Sequence, residues 1–149
     1  MTVGPFLSHD TGFASLLSTD DFVSDAYYAV LATTSETPDQ ATQVDYADIL
    51  NECADGDYDP VALASKAVAV NSQKIRFTCA KINFGATVSI TARYLYILKG
   101  TAASPVGTDE IIGHIDLDGA GNVSSVNAEF SFTPHATNGL FEVARSAAP

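Results

Sequence analysis

An antiparallel all-β fold, a β-sandwich or jelly roll of seven to eight strands with an N-terminal arm and one short helix, is predicted by three observations. The first is the run Val88 to Lys99. Val88, Ile90, Ala92, Tyr94, Tyr96 and Leu98 are apolar at every second position, and the residues between them change from Ser89, Thr91 and Arg93 to Leu95 and Ile97. A strand covered on one face becomes a strand covered on both, which suits the middle of a packed sheet. The second is Lys74 to Cys79, where Ile75, Phe77 and Cys79 alternate with Lys74, Arg76 and Thr78 as inward and outward sets. The third is the lack of long helical patterns between the strands, which argues against a parallel α/β sheet.

In chain order, Gly4-Pro5 and the scattered apolar residues Phe6, Leu7, Phe13, Leu16 and Leu17 read as an arm with one helical turn near Ala14 to Leu17. Ala26 to Thr33 is the first strand, apolar on both faces, and it stops at the polar turn Ser35 to Gln40. Val44, Ala47, Ile49 and Leu50 recur at helical spacing and predict a short helix over Val44 to Cys53, which Asp55-Gly56-Asp57 breaks. Ala62 to Val70 and Lys74 to Cys79 follow as strands. The apolar phase then switches at Ala80-Lys81 to Ile82 and Phe84, the mark of a bulge or a sheet-crossing bend. After Val88 to Lys99 come the turn-rich Gly100 to Thr108 and strands over Glu110 to Leu117, Val123 to Thr133 and Gly139 to Ala144. The division expected is residues 1–20 as arm and 21–149 as a single β-sandwich domain.

The 149 residues are 46% hydrophobic, enough for one sizeable core. No apolar run approaches the roughly 18 residues of a membrane helix, and the N-terminus lacks the pattern of a signal peptide, so the chain is expected to be made in the cytoplasm. The net charge of −11 is unevenly spread. Residues 1–59 hold twelve acids, among them Asp45, Asp48, Glu52, Asp55, Asp57 and Asp59, whereas all seven basic residues lie from Lys66 onward. Such a half repels phosphate backbones, so nucleic-acid binding is not expected; docking on a basic protein surface is the sharper alternative to plain solubility.

Catalytic chemistry is hard to assemble. His9 lies in the arm, His114 at the outward phase of a strand and His135 in the loop Pro134 to Asn138; no G-x-S-x-G, H-E-x-x-H or phosphate-cradling glycine loop occurs. The expectation is no enzyme and no cofactor, with each histidine at the surface or hydrogen-bonded in the core. Cys53 and Cys79 form no CxxC and read as buried thiols. Two acidic stretches have oxygen ligands at alternate positions around glycine, Asp55 to Asp59 and Asp116 to Asn122; Asp116, Asp118 and Asn122 are weak calcium candidates against ordinary turn chemistry.

Three segments carry a resemblance. Tyr28 to Asp39 has the spacing Y-x-V-L-x-T-x-S-x-x-P-D, Asp45 to Glu52 has D-Y-x-D-x-x-N-E, and Ile90 to Tyr94 reads I-T-A-R-Y. Together, over about Phe22 to Val143, the chain resembles a family of small tailed-bacteriophage virion structural proteins. Asp57-Tyr58 stands where the family pattern has Gly-Tyr, and Phe84 where it has a Trp. The resemblance implies a virion component on the outer capsid surface. The first expectation is a capsid decoration (cement) protein bound to the major capsid protein and homo-oligomeric around a symmetry axis. A tail or receptor-binding component and a carbohydrate-binding module are the alternatives. For the cement role, Phe6, Leu7, Phe13, Leu16 and Leu17 are expected to lie on a neighbouring subunit, with Asp45, Asp48, Glu52, Asp55, Asp57 and Asp59 on a basic or polar surface. Deleting residues 1–20 should then leave the domain folded.

Overall fold

The structure, a computed structural model, describes residues 3–71 and 74–144. Among the described residues it is an all-β antiparallel sandwich of twelve short strands with one α-helix, and its sheets do not close into a barrel. One layer is a five-stranded sheet in the order β1 (Phe6–Ser8), β9 (Ile111–Asp116), β8 (Tyr94–Lys99), β2 (Tyr27–Ala32), β3 (Val61–Ala62). The other consists of a three-stranded sheet, β12 (Phe141–Ala144), β5 (Lys74–Thr78), β4 (Ala67–Asn71), and of two pairs, β6 (Ile82–Val88) with β11 (Ala128–Phe132) and β7 (Thr91–Ala92) with β10 (Val123–Ser124).

The centre of the large sheet is β2 paired with β8, in register from Tyr27 opposite Lys99 to Ala32 opposite Tyr94. Ala29 and Leu31 of β2 and Leu95 and Ile97 of β8 point at the other layer, where they meet Phe77, Ile82, Phe84, Phe130 and Phe141. Tyr28, Val30, Tyr94, Tyr96 and Leu98 point the other way into a second cluster with Ile49 and Ile111. Both faces of the central strands are therefore buried, as the run of Val88 to Lys99 predicts. That run is divided: β7 belongs to the second layer, the chain bends at Arg93, and β8 enters the large sheet. The phase switch at Ala80-Lys81 is a similar crossing, from β5 of one sheet to β6 of another, with Ile82 and Phe84 buried.

Four expectations need correction. The helix over Val44 to Cys53 is only a 3₁₀ turn at Tyr46–Asp48. Asp45 and Asp48 cap it reciprocally, but the next residues pair with β2: Cys53 N–H donates to the Leu31 carbonyl and Thr33 N–H to the Asn51 carbonyl, both incompatible with helical bonding. Two expected strands are split: Ala62 to Val70 into β3 and β4 by Leu63–Lys66, where Ser65 has φ 51°, and Val123 to Thr133 into β10 and β11, where Asn127 has φ 50°. Ile75 has the phase of the buried Phe77 in its strand yet is 42% exposed, as are its neighbours Val68 and Val70 on β4 at 44% and 79%.

The fourth is the arm. Phe6–Ser8 forms β1 against β9, and Asp10–Ser18 forms helix α1, so this segment completes the domain that residues 21–149 were expected to make alone. The Phe6 ring stacks on Phe141 at 4.5 Å, Phe13 meets the same ring edge-on at 5.8 Å, and Leu16 is buried. The seat is close: a Cβ added to Gly12 would stand 2.1 Å from the Ile111 carbonyl oxygen, and one added to Gly113 would stand 2.3 Å from the Phe6 ring. Only glycine lets helix and strand backbone approach this far. Deletion of residues 1–20 is accordingly expected to strip the domain of much of its stability by baring β9 and Phe141, where the sequence suggests a truncation without consequence for the fold.

Candidate functional site

Of the apolar residues expected to face a partner, Phe6, Phe13 and Leu16 pack inward, and only Leu7 (37%) and Leu17 (55%) remain notably exposed. The acidic ones mostly serve the chain's own loops. The Asp48 carboxylate accepts Val44 and Asp45 N–H at 2.8 and 3.0 Å, and these amides hold its carboxyl below the usual range. Glu52 accepts the Tyr46 hydroxyl at 2.5 Å and the Tyr58 hydroxyl at 2.7 Å, while Tyr58 oxygen itself accepts Leu31 N–H. Burial and that carboxylate push both phenols up, so they stay protonated. Asp55 and Asp57 accept Thr91 and Ser89 N–H, each at 3.0 Å, at the β6 to β7 crossing. Asp59 is exposed.

The part of these loops around Tyr46 and Ile49 covers the second face of the large sheet, and beside it lies a polar network that no local pattern in the sequence announces. His9, fully buried, and His114, 4% exposed, come together with Nε2 of His9 2.9 Å from Nδ1 of His114. Nδ1 of His9 faces the Gln43 carbonyl at 2.9 Å and therefore carries its proton. In the neutral pair this makes His9 Nε2 the acceptor and His114 Nδ1 the donor. The side chain of Gln43 continues the chain of contacts: its Nε2 donates to Glu36 at 2.7 Å, and its Oε1 accepts the Tyr96 hydroxyl at 3.1 Å. Glu36, also buried, accepts Asn51 N–H at 2.7 Å. Burial lowers both histidines, and His9 lowers His114 further, to about 4. The pair is neutral at pH 7. Its signal in the sequence was the near-continuous apolar run around His114, Ile111 to Leu117, which marks a strand buried on both sides.

The outward surface offers a different feature. Between β1 and β12, both edge strands, opens a groove of about 850 Å³ lined by Phe6, Phe13, Ile115, Phe132, Leu140 and Val143, with His135 and Asn138 at its rim. Val143 pairs with Ile75, and Ile75 with Val70, which carries the apolar lining out along the hairpin β4–β5. There Val68, Val70 and Ile75 are 44%, 79% and 42% exposed. Lys74 and Arg76 lie on the opposite side of β5, where Lys74 pairs with Glu142 at 2.5 Å and Arg76 donates to the Ala136 and Thr137 carbonyls.

The calcium candidates lie in a turn: Asp116 pairs with Arg93 at 3.0 Å and accepts Asp118 and Gly119 N–H, interactions that hold its carboxyl low against its partial burial, and Asp118 and Asn122 flank the same turn. Among the described residues no group of three or more His, Cys, Asp or Glu side chains is placed to hold a metal ion. Cys53 and Cys79 are free and buried, and burial pushes their thiols up to about 12 and about 11. No helix among them is long and apolar enough to cross a membrane. No protein-family model, curated protein or solved structure matches the chain.

Proposed function

We propose that the chain is a structural virion protein of a tailed bacteriophage, a capsid decoration protein that docks on the major capsid protein and is repeated around a symmetry axis of the shell. The observation that carries this reading is the continuous apolar strip from the groove between β1 and β12 to the uncovered inner face of hairpin β4–β5. Apolar surface of this extent is costly to leave in water and is the kind of surface a partner covers. It takes over from the arm as the contact surface: Leu16 is buried in the chain's own core, while Phe6 and Phe13 pack on that core and line the groove from one side. The resemblance of Tyr28 to Asp39, Asp45 to Glu52 and Ile90 to Tyr94 to small virion proteins supports the same role. It makes the protein a non-enzymatic one.

Charge supports the orientation. Glu36, Asp39, Asp45, Asp48 and Glu52 belong to the loops over one face of the large sheet, whereas Lys66, Lys74, Arg76 and Lys81 lie on or beside the strands of the other layer. The less acidic side carries the apolar strip and is turned to the capsid; the acidic side faces out.

Two measurements test the reading. The copy number in purified particles should be on the order of hundreds, as a lattice-covering protein requires; a dozen or so would assign it to the tail. The double variant Val70→Asp, Ile75→Asp alters exposed positions and should fold, yet its occupancy on particles should drop at least about tenfold. Full occupancy of that variant would refute the strip as the docking surface.

A further inference from the structure

The geometry points to the His9–His114 pair as a proton-operated latch that fastens residues 3–18 to the edge of the large sheet and loosens them on acidification, while the rest of the sandwich stays folded. This does not depend on the virion reading. The segment is held by the short β1 ladder on β9, by the ring stack of Phe6 and Phe13 on Phe141, by the Ser15 hydroxyl donating to Glu110 and the Gln40 amide donating to the Ser8 carbonyl, and by His9 reaching across to the opposite face of the sheet from those rings. The last is the contact in which two buried imidazoles meet each other with no carboxylate hydrogen-bonded to either.

Charged groups face the pair from several elements. From the helix side comes Asp10 and from the covering loop Asp39, both of which favour a charged His9 but only at a distance. On β9 there is Asp116, which favours a charged His114 and is itself tied to Arg93. From β8 come the Tyr94 and Tyr96 rings, at 6.1 and 5.4 Å from the His114 ring, and beyond Gln43 lies Glu36. None of these carboxylates is hydrogen-bonded to either imidazole. The first proton to arrive must be held by a buried pair, and a second would put two imidazolium nitrogens 2.9 Å apart. Opening exposes both rings to water, so protonation favours the open state.

The sign follows directly. Free histidine titrates near 6.5 and His114 in the closed state near 4, so opening is unaffected above about pH 7 and becomes easier as pH falls from 6.5 towards 4. For one such histidine the opening constant rises roughly 20-fold between pH 7 and pH 5. What opening uncovers is the free edge of β9 and the aromatic wall of the groove around Phe141, a surface able to accept another strand.

Hydrogen exchange on the full-length chain at pH 7 and pH 5, corrected for the intrinsic rates, tests this. Protection across residues 6–18 should lie below that of β2 and β8 at both pH values and should fall on acidification by at least about fivefold, and by roughly 20-fold at full effect. In the double variant His9→Asn, His114→Asn, which keeps one donor at each position, the pH-dependent fall should vanish. A smaller fall in the wild type, protection across residues 6–18 equal to that of β2 and β8 at both pH values, or persistence of the fall in the variant would each overturn the latch. Should the variant not fold, the imidazole titrations of the wild type decide. Both buried rings neutral at pH 5 uphold the latch, and either ring titrating near the free value of about 6.5 overturns it.

Discussion

The two faces of the large sheet are made by the same strands and buried to the same degree, yet they are covered by different things. Towards the second layer, Ala29, Leu31, Leu95 and Ile97 meet aliphatic and phenylalanine side chains. Towards the loops, Tyr28, Tyr96, His9 and His114 meet Gln43, Glu36 and Asp109, and the Tyr28 hydroxyl donates to Asp109 at 2.8 Å. A strand satisfies its backbone in a ladder and can present a wholly apolar face. A loop cannot, so a core roofed by loops must contain side chains that complete the hydrogen bonding of the roof. The polar network is the consequence of covering a sheet with irregular chain.

The sharpest way to break this comparison is a charge on the dry face. Leu95→Asp places a carboxylate with no partner among Leu31, Ile97 and the opposing rings, and should abolish cooperative folding, at a cost of several kcal/mol. A soluble variant with a sharp thermal transition would show that this face admits water.

Next in size is Gly12→Ala. The N-terminal segment serves both faces, with Phe6, Phe13 and Leu16 on one and His9 on the other. A methyl 2.1 Å from the Ile111 carbonyl must lift α1 off β9, which should cost about 2–3 kcal/mol and lower the denaturation midpoint accordingly. Gly56→Ala, with nothing within 4 Å of the added atom, is the matched control.

Acid should distinguish the faces without a mutation. The wet face contains histidines lowered in the folded state, so their contribution is complete above about pH 6.5 and is lost as pH falls towards 4; the unfolded chain binds the proton first. For His114 the loss is ~3 kcal/mol at most. Carboxylates held low by backbone amides, Asp39 and Asp48 among them, lose their contribution only as pH falls further, below about 3.8. Denaturant titrations from pH 7 to pH 3 should therefore show two successive losses, and the first should be absent from the His9→Asn, His114→Asn variant.

The smallest effect expected is that of Tyr96→Phe. It removes the hydroxyl that donates to Gln43 and leaves the ring in place, for about 1 kcal/mol, because Gln43 Oε1 still accepts Asp39 N–H. Chemical denaturation resolves such a difference, and a loss above about 3 kcal/mol would mean that the network is more cooperative than its separate bonds.

Much of this fold was legible in the chain. The doubly apolar stretches Tyr27 to Ala32 and Tyr94 to Leu98 identify themselves as central strands because no polar phase is left to face water. The crossing after Cys79 shows as a change of phase, since a strand's two faces are fixed by a period of two. The candidate site was much less legible. His9 and His114 are 105 positions apart and each is isolated in its own segment, so nothing local signals that they touch. The apolar strip was equally hidden, because Ile75 and Phe77 have the same phase, and periodicity cannot tell that one is exposed and the other buried.

The sequence by itself determined the fold class, the central strands and the charge asymmetry, because these depend on residue type and short-range periodicity. Tertiary structure decided the rest. It turned the predicted arm into β1 and α1, because Gly12 and Gly113 let that segment lie directly on β9. It cut the helix at Tyr46–Asp48 to one turn, because pairing with β2 claimed the amides and carbonyls that a longer helix would need. It also gave the acidic residues Asp48, Glu52, Asp55 and Asp57 to the chain's own loops, because buried backbone amides and phenols must find acceptors wherever the fold brings them.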